Sequence, residues 1–208
     1  MLDMAAFYKA SYGLYLVSSR MGDVRAGCVV NTVTQVTVSP LQMTVAIHKD
    51  NFTTSVIAQS GLFTVAVLGK FASMELIGRF GFQSSRDVDK FAGFKTVEDE
   101  RGVPYVAEQV VARFSCRVVS QVDVGTHVLL IGEVVSCETL DEREPMTYAY
   151  YHTVKNGLTP PKASSYQEAP KAKGYRCTVC GYVYEGDTLP PDFKCPICDC
   201  GPDVFVRI

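Results

Sequence analysis

Cys177-Thr178-Val179-Cys180 and Cys195-Pro196-Ile197-Cys198 are two C-x-x-C knuckles separated by a loop rich in Gly, Pro and Asp. Two knuckles of this kind can bring four thiolates onto one tetrahedral metal, zinc or iron. The segment that carries them, Gly174 to Ile208, is about 35 residues long, too short to fold on apolar burial alone, so a metal is expected to supply much of its stability.

Upstream, residues 156–173 contain Pro160, Pro161 and Pro170 with several Ser and Ala, the composition of a domain tail and linker. The expected division is therefore a domain over 1–155, a linker over 156–173 and a metal module over 174–208. As a random coil the linker would span about 23 Å, which gives millimolar effective concentrations between its two ends.

The first 155 residues read as mainly β. Strands are expected over Leu14 to Ser18, Ala26 to Thr37, Met43 to His48, Phe63 to Leu68, Val110 to Val122 and Thr126 to Cys137. Short helices are expected over Met4 to Lys9, Phe52 to Gln59 (Asn51 as N-cap, Gly61 as stop), Ser73 to Phe80 and Arg86 to Phe91. Many strands with few helices suggest a barrel decorated by helices. No G-x-G-x-x-G follows a strand, which disfavours a Rossmann dinucleotide site.

The 208 residues are 47% hydrophobic and 20% charged, ordinary values for a globular protein. A net charge of −2 gives no reason to expect a nucleic acid or an anionic membrane as partner. No apolar run reaches the roughly 20 residues of a membrane span. Met1-Leu2-Asp3-Met4 does not open a signal peptide, so a cytoplasmic location is expected. Of the eight cysteines, Cys28, Cys116 and Cys137 lie in apolar strand-like sequence and are expected to be buried, inert thiols, and Cys200 a bystander.

Around the knuckles, Tyr175-Arg176-Cys177-Thr178-Val179-Cys180-Gly181-Tyr182-Val183-Tyr184-Glu185-Gly186 with Cys195-Pro196-Ile197-Cys198 resembles rubredoxin, in the short-loop form found fused to other redox proteins. The resemblance implies a mononuclear Fe held by Cys177, Cys180, Cys195 and Cys198; a structural zinc ribbon is the alternative. Asp199 stands where this family carries Gly in the second knuckle, and Asp tolerates a left-handed backbone. Tyr175, Tyr182, Tyr184, Phe193 and Phe205 are expected to form a small aromatic core.

Gly13-Leu14-Tyr15-Leu16-Val17, Asn31-Thr32-Val33-Thr34-Gln35-Val36-Thr37, Ile77-Gly78-Arg79-Phe80-Gly81-Phe82, Asp89-Lys90-Phe91, Gly125-Thr126-His127 through Val134, and Thr147-Tyr148-Ala149-Tyr150-Tyr151-His152 are similar to the flavin reductase family. That family has an FMN-binding split β-barrel and forms homodimers. The combination with a rubredoxin module resembles the high-molecular-weight rubredoxins of anaerobes, in which NAD(P)H reduces FMN, FMN feeds the iron, and a flavodiiron protein is the acceptor. By this resemblance Asn31, Thr32, Thr34, Gln35, Val36 and Thr37 contact the flavin. Hydroxyls and amides on that stretch suit hydrogen bonds to a flavin ring and phosphate. Asn51, Thr53 and Thr54 open a helix where a phosphate binds well, with Lys49 as counter-charge. His127 is the expected catalytic group beside the nicotinamide. Arg79 to Phe82 and Lys90 are expected to border the same pocket, and His48 and His152 to be structural. Tyr148, Tyr150 and Tyr151 are expected to serve packing or dimer contacts. A flavin reductase with only a zinc ribbon, and a flavin-storage protein, are the competing readings.

Overall fold

The computed structural model describes residues 3–155, 157–160, 162–165 and 174–208; the rest of the linker expected over 156–173 lies outside the described residues. After a 3-10 segment at Met4–Lys9, the chain forms strands β1 (Tyr15–Met21), β2 (Val24–Val30), β3 (Val33–Val38) and β4 (Leu41–His48). Helix α1 (Phe52–Ser60), β5 (Leu62–Leu68) and α2 (Met74–Phe82) follow, then β6 (Thr96–Glu98), β7 (Pro104–Val106), β8 (Val110–Asp123), β9 (His127–Thr139) and α3 (Tyr148–Thr153).

Seven of these strands form one antiparallel sheet in the order β2-β1-β5-β8-β9-β4-β3. Strands β2 and β3 are its two edges, yet only Asn31 and Thr32 separate them in the chain. A seven-stranded sheet can satisfy that link only by curling until its ends meet, which makes a barrel split at this seam. The Ala46 N–H donates to the Thr32 carbonyl, carrying the β3–β4 ladder one step into the link between the two edges.

Side-chain alternation divides the burial into two clusters. Val17, Phe63, Val65, Val45, Ile47 and Leu130, with Ile57 of α1, form one; Leu14, Leu16, Ala66 and Leu68 pack with Leu76, Ile77 and Phe80 of α2 in the other. The central strands β1 and β5 are thus buried on both faces, whereas β4 alternates. Asn51 caps α1 by accepting from the Thr53 N–H at 3.0 Å, and Gly61 ends it at φ 68°. Ser73 caps α2 in the same way through the Leu76 N–H.

Several expectations need correction. Ala26 to Thr37 is not one strand; it breaks at the seam. Arg86 to Phe91 forms turns, not a helix: the Ser84 hydroxyl takes the Arg86 N–H and the Asp89 carboxylate takes the Phe91 N–H. Cys28 and Cys116 are buried, but Cys137 is exposed, on the last part of β9 where most residues face solvent. The β6–β7 hairpin and α3 were not foreseen.

The C-terminal module has strands β10 (Tyr175–Cys177), β11 (Val183–Tyr184) and β12 (Phe205–Arg207) in one sheet, with β10 central. Phe193 contacts Tyr182, Tyr184 and Phe205. Tyr175 stands outside this group and donates its hydroxyl to the Asp187 carbonyl.

Phe63 is fully buried within the barrel. Its ring fills the space opposite Gly132, where a Cβ would come within 3.0 Å of Cys116 Cβ. Truncation by Phe63→Ala is expected to cost about 3–5 kcal/mol, read as a lower urea midpoint at unchanged slope.

Candidate functional site: a four-sulfur centre beside a cleft

Each knuckle is a tight turn closed by its own backbone. The Gly181 N–H donates to Cys177 O and the Asp199 N–H to Cys195 O, both at 2.9 Å, with return bonds Cys177 N–H to Tyr182 O and Cys195 N–H to Cys200 O. Gly181 has φ 82° and Asp199 φ 58°, so the two turns are equivalent although one uses Asp. The four sulfurs lie within 4.8 Å of one another; Cys177 Sγ to Cys198 Sγ is 3.7 Å and Cys180 Sγ to Cys195 Sγ is 3.4 Å. A metal–sulfur bond of about 2.3 Å puts tetrahedral sulfurs about 3.8 Å apart, so the set fits one metal. Backbone N–H groups of Tyr182, Ile197 and Cys200 point at the sulfurs of Cys180, Cys195 and Cys198. Such bonds favour thiolate and tune a bound metal.

The barrel's cleft opens at the seam. Its walls come from Asn31 and Thr32, from Ala46 to His48 of β4, from Asn51, from Ile77, Gly81 and Phe82 of α2, and from His127, Tyr148 and Tyr151. The remaining wall is the tail, through Leu158, Pro160 and 162–164. Ser164 donates to Asn31 Oδ1, Asn31 Nδ2 donates to Ser165 Oγ, and Lys162 pairs with Asp50 at 3.1 Å. His127 is buried; Thr126 Oγ1 lies 2.8 Å from its Nδ1, and the ring donates to the Lys162 carbonyl. Burial, then the neighbouring His48, hold the His127 pKa below 6.5.

The structure thus brings together Asn31, Thr32, Asn51 and His127 of the expected residues. Thr34, Gln35 and Val36 face solvent on the edge strand β3, with Thr37 half-buried beside them, and none of the four lines the cleft. Lys49 is paired with Asp123 at 2.6 Å on the surface. Thr53 and Thr54 are buried inside α1: Thr54 donates to the His48 carbonyl, and Thr53 Oγ1 lies beside the Cys28 thiol. Arg79 is off the cleft. Lys90 is buried, donating to the carbonyls of Gly27 (2.8 Å) and Phe80 (3.0 Å), and burial lowers its pKa to about 8.

His48, expected to be structural, Tyr148 and Tyr151, expected to serve packing or dimer contacts, and the tail, expected to be linker, all line the cleft. His48 pairs with His127 across β4 and β9, ring to ring at 5.1 Å, a register no local pattern encodes. Tyr148 and Tyr151 stack on one face of α3, and their i, i+3 spacing was the available signal. Phe82 and Leu158 line the cleft and also pack against the cysteine cluster, so a single layer of side chains separates the two sites.

Residues 7–159 match the flavin reductase like domain, and residues 175–206 match the rubrerythrin, rubredoxin-like domain. Over the full length of both chains the sequence is 39% identical to a high molecular weight rubredoxin of Moorella thermoacetica. It is 44% identical to a ferric-chelate reductase (NAD(P)H) of Archaeoglobus fulgidus, over 81% of this chain and 99% of that one. The solved NADH:FAD oxidoreductase of Streptomyces globisporus C-1027 superposes with a TM-score of 0.62 at 26% identity, covering 68% of this chain and 84% of the other. The chain therefore belongs to the flavin reductase-like family and carries a rubredoxin-like domain at its C-terminal end.

Proposed function

We propose that the protein is an oxidoreductase that takes electrons from NAD(P)H onto FMN in the cleft and passes them to a mononuclear iron on Cys177, Cys180, Cys195 and Cys198. An acceptor protein, of the flavodiiron type by the likeness to high-molecular-weight rubredoxins, then draws them off. The division into a barrel domain ending near 155 and a metal module from 174 belongs to this reading. So do a homodimeric state and a cytoplasmic location, which suits eight cysteines none of which is in a disulfide. Among the described residues no helix is long and apolar enough to cross a membrane.

The observation that carries the reading is the wall shared by the two sites, Phe82 and Leu158. When bound, a flavin accepts a hydride and gives up its electrons singly, and an Fe(Cys)4 centre takes one. The chain's residues arrange the rest. Asn31 lines the cleft with its amide held by Ser164 and Ser165 of the tail, and the capped start of α1 brings Asn51 to its edge. The buried, neutral His127 ring is held at the cleft wall between Thr126 Oγ1 and the Lys162 carbonyl, which fixes its orientation. Tyr182 and Phe205 pack on the cysteine cluster, backed by Phe193, and limit water there.

A zinc clasp would satisfy the sulfur geometry equally well, and two measurements separate it from iron. Elemental analysis of protein from iron-replete cells is expected to return one iron per chain. Cys195→Ser should keep flavin reduction by NAD(P)H but lose electron delivery to an external acceptor; delivery at the wild-type rate would overturn the order of carriers.

The buried, neutral His127 also predicts a pH dependence. Its folded-state pKa is depressed, so the unfolded chain binds the proton more tightly. The stability it contributes is present above pH 6.5 and is lost as pH falls through the folded-state value. In His127→Gln the fall in urea midpoint between about pH 7 and pH 5 should be smaller than in the wild type.

A further inference from the structure

Helix α2 has two working faces. Leu76, Ile77 and Phe80 are buried against the barrel. Met74, Gly78 and Phe82, at i, i+4 and i+8, make a stripe on the metal module's side; Met74 and Phe82 pack on the cysteine cluster. Between them the second knuckle sits directly on the helix: a Cβ at Gly78 would overlap the Ile197 carbonyl oxygen and come within 3.1 Å of its carbon and 3.5 Å of Cys198 Cα. These are backbone atoms of a closed turn, so they cannot swing aside as a side-chain tip would. Gln83 Nε2 adds a hydrogen bond to the Cys198 carbonyl at 3.3 Å. Ile77, Gly81 and Phe82 of the same helix line the cleft.

We infer that electrons pass from cleft to metal within one chain, across α2, with Gly78 as the docking position and Phe82 as the spacer between the two sites. This rests on the function proposed above. The balance is NAD(P)H plus two Fe(III) giving NAD(P)+, a proton and two Fe(II), so each hydride serves two successive one-electron crossings. Gly78 is a positioning residue: it touches neither the cleft nor a sulfur, and acts by letting the Cys195–Cys198 knuckle seat. Gln83 holds the seated knuckle in register.

The test uses the full-length chain loaded with FMN and iron, and a matched zinc-loaded sample. Stopped-flow absorbance follows bleaching of the flavin and of the iron–thiolate band after NADH is added. Fluorescence of the oxidised flavin, compared between iron and zinc samples, reports proximity without turnover. Gly78→Leu should leave flavin bleaching unchanged and slow iron bleaching severalfold, because tunnelling between carriers weakens exponentially as the gap widens. The fluorescence difference between the iron and zinc samples should shrink with it. Gln83→Ala, which does not burden the helix, should show the same split more weakly and guards against a Gly78→Leu chain that fails to fold. Wild-type iron bleaching and unchanged fluorescence in both variants would overturn the inference while leaving the relay intact. If NADH bleaches the wild-type flavin but never its iron, the proposed function itself falls, and this route with it.

Discussion

Four buried thiols do not gather within 4.8 Å of one another for the sake of packing. As thiolates they repel; as thiols they contribute only as small apolar groups. A cation resolves the conflict, and the two turns exist to present sulfur to it. The module's other buried material is slight, chiefly Ile197 and the aromatic group around Phe193. Binding the metal and folding the module are therefore close to one event. The consequence extends into the barrel. The Ile197 carbonyl that rests on Gly78 belongs to the second knuckle, so the docking surface for α2 is formed only when the sulfurs converge.

The tail is the second shared part. Its Leu158 packs on the cysteine cluster, while Ser164 and Ser165 engage Asn31 and the Lys162 carbonyl accepts from His127. The Lys162–Asp50 pair is exposed and worth little by itself. What holds the tail is that each contact completes a wall already begun by the barrel: Tyr151 donates to the Leu158 carbonyl, and Tyr148 shares hydroxyl contacts with Thr159 and Ser165. A segment of this kind orders with the cleft it closes, so the contents of the cleft and the placing of the tether are coupled through the same few hydrogen bonds.

Features set by neighbours in the chain were legible from the sequence. The Asn51 cap and Gly61 stop bracket α1 because both act within one turn, and the tolerance of Asp for positive φ anticipated the Asp199 turn. Features set by distant partners were not. Arg86 to Phe91 has helical spacing, but Lys90 reaches the Gly27 and Phe80 carbonyls and Arg25 pairs with Asp89, so tertiary bonds fix it as turns. Thr34 to Thr37 carries hydroxyls and an amide, a pattern shared by a ligand-binding strand and a solvated edge strand; only the sheet order places these residues on β3. A proline-containing tail reads as linker because its partners, Asn31 and His127, lie more than thirty residues away. His48 joins His127 only through the β4–β9 register.

The two glycines of α2 make sense in the same terms. Glycine inside a helix costs about 1 kcal/mol relative to alanine, so Ile77-Gly78-Arg79-Phe80-Gly81-Phe82 weakens its own helix twice. At Gly81 a Cβ would meet only Val29, at an ordinary 3.7 Å, so packing alone does not demand glycine there. Gly81 borders the cleft and Gly78 the knuckle, three residues apart on adjoining parts of one helix face. Without side chains at these two places, the knuckle and the cleft both lie close against the helix backbone. Its lost propensity is compensated by Leu76, Ile77 and Phe80, each buried to within 1% of full burial. Stability then comes from the barrel-facing stripe, and the glycine positions are left to bring the cleft and the four sulfurs close together.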